Sequence, residues 1–153
     1  MDPAAIPVEE LLPHGPEMIV IDRLVSYDAA RSVAVADVSE RSVFFERTGV
    51  PAWAGIEYMA QAVAAHAGFA ARLRGEAPAI GFVLGTRAYE SVVDEFPRGC
   101  RLTITVELEL AEGGFAAFKC AIATERVVAT AVVNTFRPSA EELARMQQTS
   151  HGP

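Results

Sequence analysis

The sequence predicts an α+β fold in which a curved antiparallel sheet wraps around one long central helix. Three observations predict it. Residues 55–74, GIEYMAQAVAAHAGFAARLR, make a helix-compatible run that is apolar almost all the way round, and such a helix is normally buried. Stretches on both sides of it alternate apolar and polar residues as half-buried strands do. At 153 residues and 51% apolar content, the chain is the size of one domain and can build a core without disulfide or metal staples.

The central run has no proline, and Val63 is its only β-branched residue after Ile56. At 1.5 Å per residue it spans roughly 30 Å. Its alanines leave almost no polar face before Arg72 and Arg74 and let a neighbouring backbone come close. Gly68 costs about 1 kcal/mol there relative to alanine. Glu57 and Gln61 are four apart and share a face. Glu57 and His66 are nine apart and point to opposite sides, so a catalytic partner for Glu57 must come from another part of the chain or another subunit.

In chain order, residues 5–12 read as a short helix that Pro13 and Pro16 end. MIVIDRLVSYD, 18–28, reads as a strand, residues 28–31 as a turn, and SVAVADVS, 32–39, as the returning strand of a hairpin. VFFERTGVPAWA, 43–54, is an irregular loop leading into the helix, and Gly75 is placed to close the helix end. AIGFVLGTRAYES, 79–91, is a strand with bulges or close approach expected at Gly81 and Gly85. Residues 94–99 read as a turn. CRLTITVELELAE, 100–112, alternates, with Leu102, Ile104, Val106, Leu108 and Leu110 inward. Gly113-Gly114 makes a hairpin turn, and strands 115–125 and 126–136 follow. After Pro138, residues 139–147 form a short helix capped by Ser139 with Glu142 three residues on. The core of this single domain is expected over about 10–137.

A net charge of -7 argues against nucleic acid as partner, which favours a basic face. Cys100 and Cys120 lack metal or redox spacing and read as reduced thiols. The start of the chain has neither the basic nor the apolar region of a signal peptide, and the one long apolar run carries Glu57, Gln61 and His66. The expectation is a cytoplasmic protein with no membrane partner. Scattered histidines and unclustered acids give no metal-ligand spacing, and no nucleotide-binding loop is present, so no cofactor is expected.

The motifs resemble those of the 3-hydroxyacyl-ACP dehydratases of the hotdog superfamily. LLPHGPEMIVIDRL resembles the family's opening L-P-H-R-x-P-x-x-x-x-D-R-V, and GIEYMAQA its helix start E-A-M-A-Q, with Glu57 on the catalytic acid. GTRAYESVVDEFPRGCRLTITVELE resembles the strand, turn and strand that follow. PAWAGIEYMAQA is most similar to the dehydratase-like proteins of aryl polyene biosynthesis. The resemblance covers about 10–137. It implies a hotdog fold, a dimer with sites at the subunit interface, and a 3-hydroxyacyl thioester as substrate, carried on acyl carrier protein (ACP) or coenzyme A. One departure stands out. The fatty-acid dehydratases carry G-H-F-P after a Phe-Phe pair, and its histidine is the base. Here Phe44-Phe45 is followed by ERTGVPAW, about five residues shorter, with Thr48 or Gly49 nearest that position.

Dehydration needs a base for the C2 proton, an acid for the departing C3 hydroxyl, and donors for the thioester oxygen. Glu57 is the candidate acid, and Gln61 the residue that orients it or a water. Gly55 and Ile56, at the helix start, are candidates to offer free N–H groups to the thioester oxygen. Trp53 is either an acyl-tunnel residue or a core or interface aromatic. His14 resembles a structural residue of the family, with substrate contact or replacement of the missing base as alternatives. His66 reads as a buried, hydrogen-bonded histidine, with a role across a subunit interface as the alternative, and His151 as a tail residue. Arg72, Arg74, Arg87, Arg98 and Arg101 are candidates for docking an acidic ACP. Two other functions fit the same residues: a hotdog acyl-thioesterase, or a non-catalytic subunit paired with an active homologue. A homodimer and a heterodimer with another hotdog protein are both open.

Overall fold

In the computed structural model, which describes residues 1–78 and 82–150, β1 (Arg23–Tyr27) and β2 (Arg31–Asp37) form the first hairpin, and β3 (Gly49–Pro51) leads into α1 (Gly55–Leu73). β4 (Phe82–Ser91), β5 (Glu95–Pro97), β6 (Arg101–Glu112), β7 (Phe115–Ala123) and β8 (Val127–Phe136) follow, and α2 (Ala140–Ser150) ends the described chain. Among the described residues the main sheet has six strands in the order β1-β2-β6-β7-β8-β4, every pair antiparallel. β3 and β5 pair as a second, two-stranded sheet. This is the hotdog architecture, with α1 as the helix that the sheet encloses.

The core lies between α1 and the concave face of the sheet. Tyr58, Met59, Ala62, Ala65 and Phe69 of α1 are buried with Leu102, Ile104, Ile122 and Val133 of the sheet. Inward-facing alanines keep the helix axis near the strands, so a helix with few large side chains still excludes water. The Asp28 turn closes the first hairpin as expected: its carboxylate accepts from the N–H groups of Ala30 and Arg31 at 2.8 and 2.9 Å. α1 ends one residue earlier than predicted, where Gly75 N–H donates to the Arg72 carbonyl and Glu76 N–H to the Ala71 carbonyl, a Schellman closure. Ser139 and Glu142 cap α2 reciprocally, at 3.1 and 3.3 Å.

Five expectations are corrected. The N-terminal segment 5–12 is two 3-10 turns, Pro3–Ala5 and Val8–Glu10, because Pro7 separates them. The strand predicted over 18–28 begins only at Arg23, since residues 16–18 make a 3-10 turn and the backbone beyond it bonds to a side chain of α1. The loop at 43–54 and the turn at 94–99 contain β3 and β5, too short to show any periodicity. Leu110 is 49% exposed rather than inward, because the β6–β7 register shifts between Leu108 and Leu110. The bulge expected at Gly85 is present as a register shift between Val83 and Gly85. Gly81, with residues 79 and 80, and His151 lie outside the described residues. Among the described residues, no helix is long and apolar enough to cross a membrane.

Candidate active site

Gln61 organises the site. Its side chain is completely buried, and its amide makes three hydrogen bonds. The carbonyl oxygen accepts from Val20 N–H at 2.8 Å, and the amide nitrogen donates to the Met18 carbonyl at 2.8 Å and to Glu57 Oε1 at 2.9 Å. A buried amide must have its partners supplied, because each unmet group costs about 1–3 kcal/mol. One face of α1 thereby fixes both the incoming chain at 18–20 and the carboxylate one turn upstream. Glu57 itself is half-buried, its side chain 37% exposed.

The second group at this carboxylate is His14. Its Nε2 stands 3.9 Å from Glu57 Oε1, the same oxygen that Gln61 holds, and its side chain is 30% exposed. Its Nδ1 is buried and has no hydrogen-bond partner. His14 is delivered by a firmly anchored segment. Leu11 and Leu12 are buried, and the Leu11 carbonyl lies so close to Gly68 that a Cβ there would collide with it. Gly68 is therefore a packing requirement, which explains a glycine inside a buried helix.

The helix start differs from the sequence expectation at Gly55. Its N–H is already donated to the Ala52 and Trp53 carbonyls, within the 3-10 turn Ala52–Ala54 that runs into α1, so it is not a free donor for a thioester oxygen. The glycine serves close approach instead. A Cβ at Gly55 would strike the Tyr89 hydroxyl, which donates a short hydrogen bond to the Ala52 carbonyl. Burial raises the Tyr89 phenol pKa, which favours the protonated, donating form. Ile56 is 38% exposed, and Trp53 is 58% exposed with its ring edge-on to Phe44 at 5.4 Å. Met18 and Val43 add further exposed apolar surface.

An apolar cavity of about 440 Å³ lies beside α1, lined by Pro13, Val63, Ala64, Ala67, Phe118 and Phe136 among others. Pro13 adjoins His14. Ala64 is two turns beyond Glu57 on the same helix face. Glu57, His14 and Trp53 do not line the cavity, so Trp53 is placed as an exposed surface aromatic rather than a wall of this space.

The model of the ApeP-like family (ApeP dehydratase) matches residues 6–148. The chain belongs to the ApeP-like dehydratase family. Among solved structures it is similar to the dehydratase heterocomplex ApeI:P from Xenorhabdus doucetiae. That match has 30% identity and a TM-score of 0.82, covering 92% of this chain and 97% of that one. Thioesterase superfamily member 2 of zebra fish (11% identity, TM-score 0.63, covering 82% and 88%) shares the fold. So does the PaaI protein of the E. coli phenylacetic acid degradation operon (15% identity, TM-score 0.57, covering 74% and 81%). No curated protein matches the sequence.

For an ApeP-like dehydratase the fate of the missing histidine position matters. Thr48 donates its hydroxyl to the Glu95 carboxylate at 2.9 and 3.0 Å, and Gly49 pairs with Pro97 in the small sheet. Neither residue offers a base. His66 is occupied as expected: it is buried, Ser32 Oγ lies 2.6 Å from its Nδ1, and Tyr27 packs 4.9 Å from it. Burial lowers its pKa and keeps the ring neutral. Burial also pushes the Cys120 thiol up to about 12 and raises that of half-buried Cys100, which leaves both poorly nucleophilic.

Four of the five candidate docking arginines are engaged by acids of their own chain. Arg72 meets Glu10 at 3.1 Å, Arg74 meets Glu76 at 3.2 Å, Arg98 meets Glu40 at 4.0 Å and Arg101 meets Asp37 at 2.7 Å. The sequence reading missed the backbone of Met18 and Val20 and the brace at Tyr89. Only the aromatic in a glycine-flanked strand hinted at Tyr89, and nothing local hinted at the backbone groups.

Proposed function

We propose that this protein is a 3-hydroxyacyl-thioester dehydratase, or the acid-bearing subunit of one, acting on acyl groups carried by ACP or coenzyme A. The observation that carries this reading is the Glu57 carboxyl in the first turn of the central helix, one oxygen fixed by the buried Gln61 amide, in a dehydratase-family chain. Gln61 Nε2 has both its N–H groups engaged, by Glu57 and by Met18, so it acts through Glu57 and is a positioning residue. With Oε1 held, Oε2 is left to carry the proton. In the reaction a base removes the C2 proton, the C2–H electron pair forms the C2=C3 double bond, and the C3–O bond breaks. The Glu57 carboxyl protonates the leaving hydroxyl, which departs as water. The apolar cavity beside the helix suits the acyl chain.

ApeI:P is a dehydratase heterocomplex, and this chain exposes apolar side chains at Trp53 and Ile56 of the helix start and at Met18 and Val43. Such exposure fits cover by a second hotdog chain, and this supports a heterodimer over a lone subunit. Arg87, exposed and without an ion pair among the described residues, is the remaining docking arginine for an acidic carrier.

The test is an assay of the purified chain, alone and with a co-expressed hotdog partner, on 3-hydroxyacyl-ACP and 3-hydroxyacyl-CoA. Enoyl thioester is the expected product, and Glu57→Gln should abolish it. Free thiol without enoyl product would make the protein a thioesterase. Full activity in the Glu57→Gln complex would reduce the chain to a structural partner.

A further inference from the structure

We infer that His14 is the catalytic base of this site, supplied by the same chain that supplies Glu57. The inference rests on the dehydratase reading above. Three observations converge on it. The segment where related dehydratases carry their histidine offers only Thr48, tied to Glu95, and Gly49, paired in the small sheet. An imidazole nevertheless stands 3.9 Å from the Glu57 carboxylate. That imidazole is also not hydrogen-bonded as a structural histidine is.

The comparison with His66 makes the third point concrete. His66 has its ring fixed by Ser32 and packed against Tyr27. His14 has neither nitrogen within hydrogen-bonding distance of a partner among the described residues: Nδ1 is sealed inside, and Nε2 faces Glu57 from beyond direct bonding range. Buried polar atoms are normally paired, and an orphan in a folded protein calls for an explanation. The ring is carried, without a hydrogen bond of its own, on a segment anchored by buried Leu11 and Leu12 and bracketed by Pro13 and Pro16. The arrangement forgoes a bond at Nδ1 and presents Nε2 to the carboxyl. Catalytic hydrogen bonds are often long before substrate arrives.

The two groups complete one proton cycle. Neutral His14 takes the C2 proton on Nε2, the electron pair becomes the C2=C3 bond, and protonated Glu57 gives its proton to the departing hydroxyl. Water leaves, and the site then holds an imidazolium beside a carboxylate. Transfer of the proton from Nε2 to the carboxylate, directly or through one water, restores both groups.

The experiment compares wild type with His14→Asn, His14→Gln, His14→Ala and Glu57→Gln in whichever assembly, alone or with a hotdog partner, carries the enoyl-forming activity. Thermal melts establish folding. The expected result is a loss of kcat of about 100-fold or more for both His14→Asn and His14→Gln, in line with removal of a general base, with KM changed only a few-fold. Added imidazole should restore part of the rate of His14→Ala and none of that of Glu57→Gln, a rescue that a merely structural role would not produce. Retained kcat in either folded amide variant, with Glu57→Gln inactive, overturns His14 as base and leaves the Glu57 reading standing. Loss in both amide variants without imidazole rescue assigns His14 a structural role and also overturns the inference. Full activity in Glu57→Gln removes the dehydratase reading itself.

Discussion

Gly68→Ala separates two opposite expectations for one methyl group. On helix propensity alone, alanine should stabilise α1 by about 1 kcal/mol. The structure argues the reverse. A Cβ at this position would overlap the Leu11 carbonyl oxygen and press on the Leu11 Cα at 3.2 Å. These are backbone atoms and cannot rotate away, so either the segment Val8–His14 lifts from the helix or α1 shifts against the sheet. Overpacking of this kind costs about 1–3 kcal/mol and more when backbone must move. With the propensity gain subtracted, a net loss of up to about 2 kcal/mol is expected, or up to roughly 6 °C in Tm for a domain this size. Because His14 lies three residues beyond Leu11, the same displacement should widen the His14–Glu57 gap and lower kcat by more than the folded fraction falls. Thermal unfolding and steady-state kinetics on the same preparation check both. A variant that melts higher than wild type with unchanged kcat would refute the close-packing account.

Three further perturbations test other parts of the structure. Gln61→Leu keeps the volume but strips partners from Val20 N–H, the Met18 carbonyl and Glu57; urea unfolding should show a loss of about 2–4 kcal/mol. His66 has its folded pKa lowered by burial. Its contribution is therefore fully present above the unfolded value of about 6.5 and is lost as pH falls from there toward the folded pKa; stability of wild type in urea unfolding should begin to fall as pH drops below about 7, and His66→Gln should flatten that slope. Trp53→Ser removes the largest exposed aromatic at the helix start; if a second hotdog chain covers it, the complex should weaken by about 2 kcal/mol, roughly 30-fold in Kd by calorimetry, while the melting temperature of the isolated chain changes little.

Local chemistry made the frame legible. The alanine run announced a buried helix, the Ser139–Glu142 spacing announced the capping box of α2, and the alternation of Leu102, Ile104 and Val106 revealed the buried face of β6. Glu57 and Gln61 were legible as neighbours because a helix puts residues four apart on one face. What escaped was whatever depended on contacts far apart in sequence. The bonds that draw residues 18–20 out of a strand reach 41 and 43 residues along the chain. β3 and β5 exist only because three residues of each find the other. The free N–H expected at Gly55 failed for a related reason, since a helix rule assumes a clean start and this helix grows out of a 3-10 turn that takes that donor.

The same long-range contacts explain why one helix can both fold the protein and bear its chemistry. Gln61 uses a single amide to fasten the incoming chain and to orient Glu57, so the carboxyl cannot drift without breaking bonds that the fold itself requires. Gly68, two turns further on, lets the segment carrying His14 lie flat against the same helix. The acid is thus set by a side-chain bond and the imidazole by backbone packing, both referred to one rigid element. A substitution at Gln61 should therefore affect stability and Glu57 together, whereas one at His14 can change the chemistry and leave the fold intact. That asymmetry is what makes the His14 variants informative.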